Sequence, residues 1–246
     1  MTTSKIGEQK LCSLLFKTTS NYNANLQTLL TLLKKTEKNS IVVAPEVCLT
    51  GFDYDNFKAA VAFSKIAIEE IKKASLGKTL IFTMFEKEDG KIFNNAKIFH
   101  NGEIVFSRAK ARLFRFGGED KYMSQGSDEA FEIVEVDGIK IAILICFELR
   151  FRDLLKRCEG ADVIAIPSWW GVLRSEHFKS LSQSLAIMNQ CYVVASDSQN
   201  KECSKLSAII SPKGEAKYNE NSACLVEKYS KKEITLTRRY IDVGII

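Results

Sequence analysis

The chain has 246 residues, of which 46% are hydrophobic and 26% are charged, and its formal net charge is +5. This length and composition are typical of a folded globular protein and exclude extensive disorder, so we predict a single domain over residues 1–246. Lysines and arginines are dispersed and interleaved with acids, and no nucleic-acid partner is therefore expected.

The remaining composition restricts where the protein works and what it binds. The longest early apolar run, 11–16, is too short for a membrane span or a signal peptide, which predicts a cytoplasmic protein with no membrane partner. Seven cysteines without a C-x-x-C pair argue against a disulfide framework and a zinc cluster, and most should be buried. With two histidines in the chain, neither a metal nor an organic cofactor is expected.

Short apolar runs alternate with segments of helical period in the first half of the chain, a pattern typical of an α/β domain. The runs predict strands over 11–16, 41–44 and 79–85. Leucines at helical spacing predict a helix after a capping segment at 20–25, and Phe63, Ala67 and Ile71 predict another. Asn101-Gly102 predicts the turn of a hairpin within 92–107.

The second half continues this alternation. Strands are predicted over 130–136 and 139–145, joined by an Asp137-Gly138 turn, and over 163–166 and 192–195. One helix is predicted after Cys146 and ends near Gly160, and a second carries Phe178, Leu181, Leu185 and Met188. A further turn at Lys213-Gly214 indicates that the sheets are mixed rather than purely parallel.

Cys146 lies where a buried strand is predicted to end and a helix to begin. Such an elbow exposes a thiol and directs main-chain N–H groups towards it, which stabilises a thiolate or an oxyanion. A buried cysteine without a chemical role explains this segment equally well when it is taken alone. Because neither histidine is suitably placed, a carboxylate would have to accept the thiol proton.

Two charged residues follow other predicted strands. Glu46 comes after an apolar strand and Pro45, at the carboxyl end where α/β proteins place their ligand crevices. Lys110 leaves a later strand and would put a fixed positive charge near a developing oxyanion. Taken singly, each is better explained as a solvated loop residue.

Together these segments resemble the nitrilase superfamily of carbon-nitrogen hydrolases, in which a glutamate, a lysine and a cysteine follow three strands in that chain order. The matching segments are Ala44-Pro45-Glu46 with Thr50-Gly51, Lys110 with Leu113-Phe114, and residues 146–151. Glu119 with Tyr122 and Gly126 resembles the second glutamate segment of the family, and 189–192 resembles the end of its late helix. The resemblance covers most of the chain.

The resemblance implies an α/β fold, a four-layer α-β-β-α sandwich with two mixed sheets. It also implies an amidase that cleaves a non-peptide C–N bond of a small linear amide through a thioester on Cys146. Glu46 would act as acid and base, Glu119 would hold Lys110, and Lys110 with the main-chain N–H of Phe147 would hold the oxyanion. Members of the family usually assemble, so a homodimer or larger homo-oligomer is expected. The 235–246 tail would pack on a neighbouring subunit or, equally well, on its own domain.

Substrate recognition is less constrained by the sequence. Trp169 and Trp170 would form a pocket wall, although core or subunit packing explains one of them slightly better. His177 would touch the substrate or, more simply, lie on the surface at the start of a helix. Glu148 and Arg150, which flank the elbow, are expected to form a structural ion pair.

Two departures from the family pattern leave the substrate open. Arg152-Asp153 stands where Pro-Glu is often found, and Met188 stands where an acid is frequent. A nitrile hydrolase or an acyl transferase that uses the same three residues remains an alternative, as does a non-enzymatic partner-binding module. The short chain disfavours the nitrile hydrolase, and the complete set of three residues disfavours the binding module.

Overall fold

A computed structural model describes residues 8–219 and 222–245, which form twelve strands and five α-helices. The first half contains β1 (Lys10–Leu14), α1 (Tyr22–Lys35), β2 (Ser40–Val43), α2 (Phe57–Ala74), β3 (Thr79–Glu88), β4 (Lys91–His100) and β5 (Glu103–Ala109). The second half contains β6 (Val134–Val136), β7 (Ile139–Ile143), α3 (Arg152–Lys156), β8 (Val163–Pro167), α4 (Ser175–Asn189), β9 (Tyr192–Ser196), β10 (Ser207–Ile210), β11 (Ala216–Asn219), β12 (Cys224–Lys228) and α5 (Lys231–Tyr240).

The strands form two six-stranded sheets that pack face to face. Their strand orders are β12-β1-β2-β3-β4-β5 and β11-β10-β9-β8-β7-β6. In each sheet three central strands are parallel and the outer ones antiparallel. Helices α1 and α2 cover the first sheet and α4 covers the second. The predicted α-β-β-α sandwich with two mixed sheets is therefore confirmed.

Side-chain alternation along the central strands explains how the first sheet packs on both faces. Leu11, Ile41 and Val43 contribute to the core shared by the two sheets, whereas Cys12 and Val42 pack with the residues of α1 and α2. Both faces are apolar because both are covered, which is why these strands appear in the sequence as continuous apolar runs.

The capping and turn signals of the sequence are present in the structure. The Asn21 side chain caps α1, since its Oδ1 accepts a hydrogen bond from the Ala24 amide at 3.0 Å. Asn101 and Gly102 have φ values of 49° and 87°, as the tight turn between β4 and β5 requires. The predicted turns at 137–138 and 213–214 also join antiparallel strands.

Several bounds near Cys146 differ from the prediction. The segment 128–130 forms a 3₁₀ turn, closed by the Ser127 side chain, so the strand predicted over 130–136 begins only at Val134. The strand predicted over 139–145 ends at Ile143, because the Ile145 amide donates to the Glu148 side chain instead of a neighbouring strand. The helix expected after the strand starts as a 3₁₀ turn, Cys146–Arg150, which precedes the short α3.

Three buried serines join the two sheets by hydrogen bonds. Ser13 Oγ on β1 donates to the carbonyl of Ala195 on β9 at 2.6 Å. Ser196 Oγ donates in the opposite direction, to the carbonyl of Leu14 on β1, also at 2.6 Å. Ser207 Oγ on β10 donates to Ser13 Oγ at 2.7 Å. Directional contacts thus cross an interface that is otherwise largely apolar.

The first part of the 235–246 tail lies in α5 and packs on its own chain. Thr237 is buried, and Arg238 Nη2 donates a hydrogen bond to the carbonyl of Ala161 at 2.6 Å. Residues 241–244 are exposed, and Ile246 lies outside the described residues.

Six of the seven cysteines are buried and Cys224 is half-buried, as predicted. Among the described residues, no helix combines the length and the apolar character needed to cross a membrane.

Candidate active site

Strand ends from both sheets meet at the candidate site. Glu46 follows β2 and Lys110 follows β5 in the first sheet, whereas Cys146 follows β7 in the second. The exposed fractions are 0% for Glu46, 0% for Lys110 and 7% for Cys146. The structure therefore brings together three residues that the sequence places far apart, and it withdraws all three from bulk water.

Lys110 bridges two carboxylates. Its Nζ lies 2.8 Å from Glu46 Oε1 and 2.8 Å from Glu119 Oε1. The second oxygen of Glu119 accepts a hydrogen bond from the Phe114 amide at 2.8 Å, which fixes this carboxylate in the loop after Lys110. Charge-assisted hydrogen bonds of this kind are short and strong in a buried site, so the ammonium is held in one position.

The Glu46 carboxylate is held by groups from both sheets. Besides Lys110, it accepts hydrogen bonds from Asn94 Nδ2 at 2.8 Å and from the Trp169 amide at 3.1 Å. Its own amide donates to the carbonyl of Ser168 at 3.2 Å. Asn94 was not predicted from the sequence. The sequence did contain a signal for it, because asparagine is uncommon in strands and a buried amide side chain requires hydrogen-bond partners.

Burial and the charges of neighbouring groups together set the pKa values of the cluster. It raises the pKa of Glu46, against the opposing charge of Lys110, and the charge of Glu119 adds to the rise. Burial and the charge of Glu46 raise the pKa of Cys146 well above its ordinary value, while Lys110 and a hydrogen bond from the Trp169 amide lower it. Burial by itself would lower the pKa of Lys110, but the charges of Glu46 and Glu119 outweigh it and raise that pKa well above its usual range. The cluster therefore pairs a neutral thiol with a permanently charged ammonium.

The backbone at Cys146 adopts an uncommon conformation. Its φ of 45° lies in the left-handed region, which residues other than glycine rarely occupy. Cys146 also begins a 3₁₀ turn, and the first N–H groups of such a turn have no carbonyl partner within it. The predicted elbow is therefore present, with the Phe147 amide at the second position of the turn.

Glu148 forms a buried ion pair with Arg108, so the predicted pair with Arg150 is wrong. Its carboxylate lies 2.5 Å from Arg108 Nη2 and also accepts from the amides of Ala111, at 2.6 Å, and Ile145, at 2.8 Å. Residues two positions apart in a 3₁₀ turn are rotated by about 240° about its axis, so the Glu148 and Arg150 side chains leave the turn in different directions. The Glu148 carboxylate thus ties the segment that follows Lys110 to the one that precedes Cys146.

Gly126 allows the loop that carries Glu119 to pack tightly against the lysine segment. A Cβ at this position would lie 2.6 Å from the carbonyl oxygen of Ala109, which is closer than real contacts allow. The Gly126 amide donates to the carbonyl of Lys110 at 2.8 Å. In the same loop, Tyr122 stacks on Tyr54 with ring centroids 4.0 Å apart.

A cavity of about 280 Å³ lies against Cys146. Its walls are mainly aromatic, and two guanidinium groups, those of Arg150 and Arg174, also line it. Neither arginine has a carboxylate partner within salt-bridge distance among residues 8–219 and 222–245. Burial, followed by the charge of Arg174, lowers the pKa of Arg150. Two uncompensated guanidinium groups make this cavity suitable for an anionic ligand. Arg174 was not predicted from the sequence.

The two tryptophans line this cavity, but His177 does not. Trp170 is 3% exposed and stacks on Phe178, whereas Trp169 is half-buried and contacts Glu46 through its amide. His177 lies exposed near the start of α4, with Nδ1 3.2 Å from Arg150 Nη2. Its position agrees with the simpler interpretation, a surface histidine at the start of a helix.

Comparison with known proteins places the chain in a family. Residues 10–222 match the sequence profile of the carbon-nitrogen hydrolases. The chain belongs to the carbon-nitrogen hydrolase family. This carbon-nitrogen hydrolase is 31% identical to the 2-oxoglutaramate amidase of Bacillus subtilis. The match covers 66% of this chain and 64% of the relative, so the chain spans less than two thirds of that relative's length. It is 24% identical to the deaminated glutathione amidase of Escherichia coli O157:H7 over 93% of each chain.

The fold of this carbon-nitrogen hydrolase is also found among solved structures. It matches Saccharomyces cerevisiae Nit3, a member of branch 10 of the nitrilase superfamily, with a TM-score of 0.84 and 21% identity. That match covers 96% of this chain and 95% of the other. The predicted superfamily is confirmed, and so is the predicted class of enzyme at the level of a carbon-nitrogen hydrolase.

Proposed function

We propose that this carbon-nitrogen hydrolase cleaves a small linear amide through a thioester on Cys146. The observation that carries the proposal is the buried cluster of Glu46, Lys110 and Glu119 beside the thiol. It supplies the base that a neutral thiol requires, and it supplies a fixed positive charge for the oxyanion.

In the acylation step Glu46 accepts the thiol proton while Cys146 Sγ attacks the amide carbon. The C–S bond forms, and the carbonyl oxygen becomes an oxyanion held by Lys110 and the Phe147 amide. Glu46 then donates the proton to the amide nitrogen, the C–N bond breaks, and ammonia or an amine leaves. Burial assists this exchange because it raises the pKa of Glu46 towards the pH of the reaction.

In the deacylation step Glu46 takes a proton from water, whose oxygen attacks the thioester carbon. A second oxyanion forms in the same place, the C–S bond breaks, and the carboxylic acid leaves. The proton returns from Glu46 to the Cys146 sulfur, so the enzyme is restored. Glu119 makes no bond to the reacting atoms in this scheme and acts by holding Lys110.

We further propose that the amide carries a carboxylate, which binds Arg150 and Arg174. The arginines lie in the same cavity as Cys146, and among the described residues no carboxylate lies within salt-bridge distance of either guanidinium. The names of the two amidase relatives are consistent with such a substrate, since 2-oxoglutaramate combines an amide with a carboxylate. A carboxylate at the far end of the substrate would place its amide carbon near the thiol.

The thioester can be tested by mass spectrometry during turnover of carboxylate-bearing amides. We expect one acyl adduct per chain at Cys146 in the wild type, together with release of ammonia, and neither in Cys146→Ala. Cys224→Ala is the matched control, because Cys224 is the most exposed of the other cysteines, and it should retain the adduct. An adduct on another cysteine, or ammonia release that survives in Cys146→Ala, would contradict the proposal.

The carboxylate site can be tested with two amides of equal chain length, one ending in a carboxylate and one ending in a methyl group. We expect Arg150→Gln and Arg174→Gln each to reduce the preference for the charged amide, expressed as kcat/KM, by about 10- to 100-fold, because a hydrogen bond to a charged group contributes about 1.5–3 kcal/mol. The loss should appear mainly in KM. Arg152→Gln, at an exposed arginine outside the cavity, is the control. An unchanged preference in both arginine variants would remove the carboxylate from the proposal.

A further inference from the structure

Asp197 is a buried carboxylate that the reaction scheme does not use. It follows β9 directly and is 0% exposed. Its Oδ1 accepts a hydrogen bond from the Trp170 amide at 2.8 Å, and its Oδ2 accepts from Ser204 Oγ at 2.5 Å and from the Lys205 amide at 3.1 Å. One carboxylate therefore connects the segment 169–171 to the loop 198–206.

Main-chain hydrogen bonds join the same two segments. The Val172 amide donates to the carbonyl of Glu202 at 2.8 Å, and the Ser204 amide donates to the carbonyl of Trp170 at 2.7 Å. The segment 169–171 and the loop thus form one unit, and Asp197 fastens it to the end of β9. The Asp197 main chain is itself fixed, since its amide donates to the carbonyl of Leu206 at 3.0 Å.

This unit contacts the candidate active site directly. The Trp169 amide donates to Glu46 at 3.1 Å, and it also opposes the rise in the pKa of Cys146. Trp170 lines the cavity together with Gly171. A displacement of the segment would therefore alter the proposed base, the thiol environment and the wall of the cavity at the same time.

We propose that Asp197 is a positioning residue whose side chain holds the 169–171 segment against Glu46 and Cys146. The effect of Asp197 on catalysis rests on the proposed function. The position of the 169–171 segment is independent of that function and can be measured without a substrate.

If Asp197 holds the 169–171 segment, the position of the segment should depend on pH. Burial raises the pKa of Asp197 to about 7, against the hydrogen bonds from Ser204 and from the Trp170 amide. The titratable group beside it is the Cys203 thiol, whose pKa burial and then the charge of Asp197 raise, so this thiol stays neutral. A displaced and solvated Asp197 would have the ordinary pKa of about 3.9, so between these two values it binds fewer protons than the held carboxyl does. The segment is therefore held below about pH 7 and loosens as the pH rises through that value.

Tryptophan fluorescence of the full chain reports this segment alone, because Trp169 and Trp170 are the two tryptophans of the sequence. In the substrate-free wild type we expect the emission to change with a midpoint near pH 7. The transition should be absent in Asp197→Asn, which has the same shape but no charge at any pH. In Ser204→Ala it should persist with a higher midpoint, because that hydrogen bond lowers the pKa of Asp197.

Two controls exclude other titrating groups near the tryptophans. His177 contacts Arg150, which lies over the Trp170 ring, and Glu46 contacts the Trp169 amide. His177→Gln and Glu46→Gln should both retain the transition. A wild type without a transition, a transition that survives in Asp197→Asn, or one that disappears in either control would overturn the proposal.

Amide turnover provides the second measurement. Asp197→Ala, which removes the side-chain hydrogen bonds to the segment and the loop, should lose turnover at about pH 6 by up to about 10²-fold through misplacement of the segment, and its pH profile should lack the component near pH 7. An Asp197→Ala profile identical to that of the wild type would overturn the positioning role. If the wild type cleaved no amide, the proposed function would fail while the fluorescence result still decided the position of the segment.

Discussion

Lys110→Met is expected to lower amide turnover by about 10²–10³-fold, because it removes a fixed cation from the place where the oxyanion develops. Methionine has a similar length and fills the same buried space, so the loss measures charge more than packing. Lys121→Met is the matched control, since Lys121 is exposed in the same loop region and should leave kcat unchanged. Near wild-type kcat in Lys110→Met would remove this residue from the reaction scheme.

The same variant should show a stronger dependence of stability on pH. Without Lys110, the carboxylates of Glu46 and Glu119 are buried with no cation between them, and the pKa of Glu46 in the folded state rises further because the charge that opposed the rise is gone. The folded state then keeps protons that the unfolded state releases above about pH 4.3, so stability falls as pH rises above that value. We expect a loss of about 3–5 kcal/mol near neutral pH. Thermal melting of the variant and the wild type from pH 4 to pH 8 would measure this loss of stability. It would also show at which pH values the variant is folded, so that its turnover can be compared with that of the wild type.

Glu46→Gln is expected to suppress amide turnover by about 10²–10⁴-fold, the usual contribution of a general acid and base. It should also slow alkylation of Cys146 near pH 7, because burial keeps the thiol neutral and an attacking thiol must then lose its proton to a nearby base. Rapid quenching with an alkylating agent, followed by peptide mapping, measures the second effect separately from the first.

Glu119→Gln is the matched comparison for that experiment. Both carboxylates accept a hydrogen bond from Lys110 at 2.8 Å, so each substitution removes one negative charge from the cluster. Glu119 is bound to the Phe114 amide and is assigned to holding Lys110, so its variant should lose turnover while Cys146 alkylates as before. Normal alkylation in Glu46→Gln together with slow alkylation in Glu119→Gln would exchange the two assignments.

The sequence predicted the parts of the fold that depend on local pattern. Apolar runs and helical spacing located most strands and helices, and Asn101-Gly102 located a hairpin. Glu46, Lys110 and Cys146 were identifiable because each follows a strand, and the family resemblance related them to one another. The ends of the strands were less predictable near Cys146, where the Glu148 side chain competes for a backbone amide.

Contacts between distant segments could not be predicted in this way. The ion pair of Glu148 with Arg108 joins one sheet to the other. A pattern of apolar residues within one segment does not show which faces of two sheets will meet. Arg174 enters the cavity from a loop whose course depends on its packing against other loops. Asp197 follows a strand, as Glu46 does, so the same signal was present. Its significance depends on hydrogen bonds to residues that only the folded chain brings near.

The serine contacts between the sheets have a consequence for the accuracy of catalysis. Apolar packing is non-directional, and two apolar faces held by it alone would tolerate sliding past one another. A slip of one residue along a strand is about 3.3 Å, enough to break any hydrogen bond between a group on one sheet and a group on the other. Ser13, Ser196 and Ser207 oppose such a slip because their bonds hold at one alignment only. The alignment of Glu46 with Cys146 is thus maintained by hydroxyl groups that take no part in the reaction.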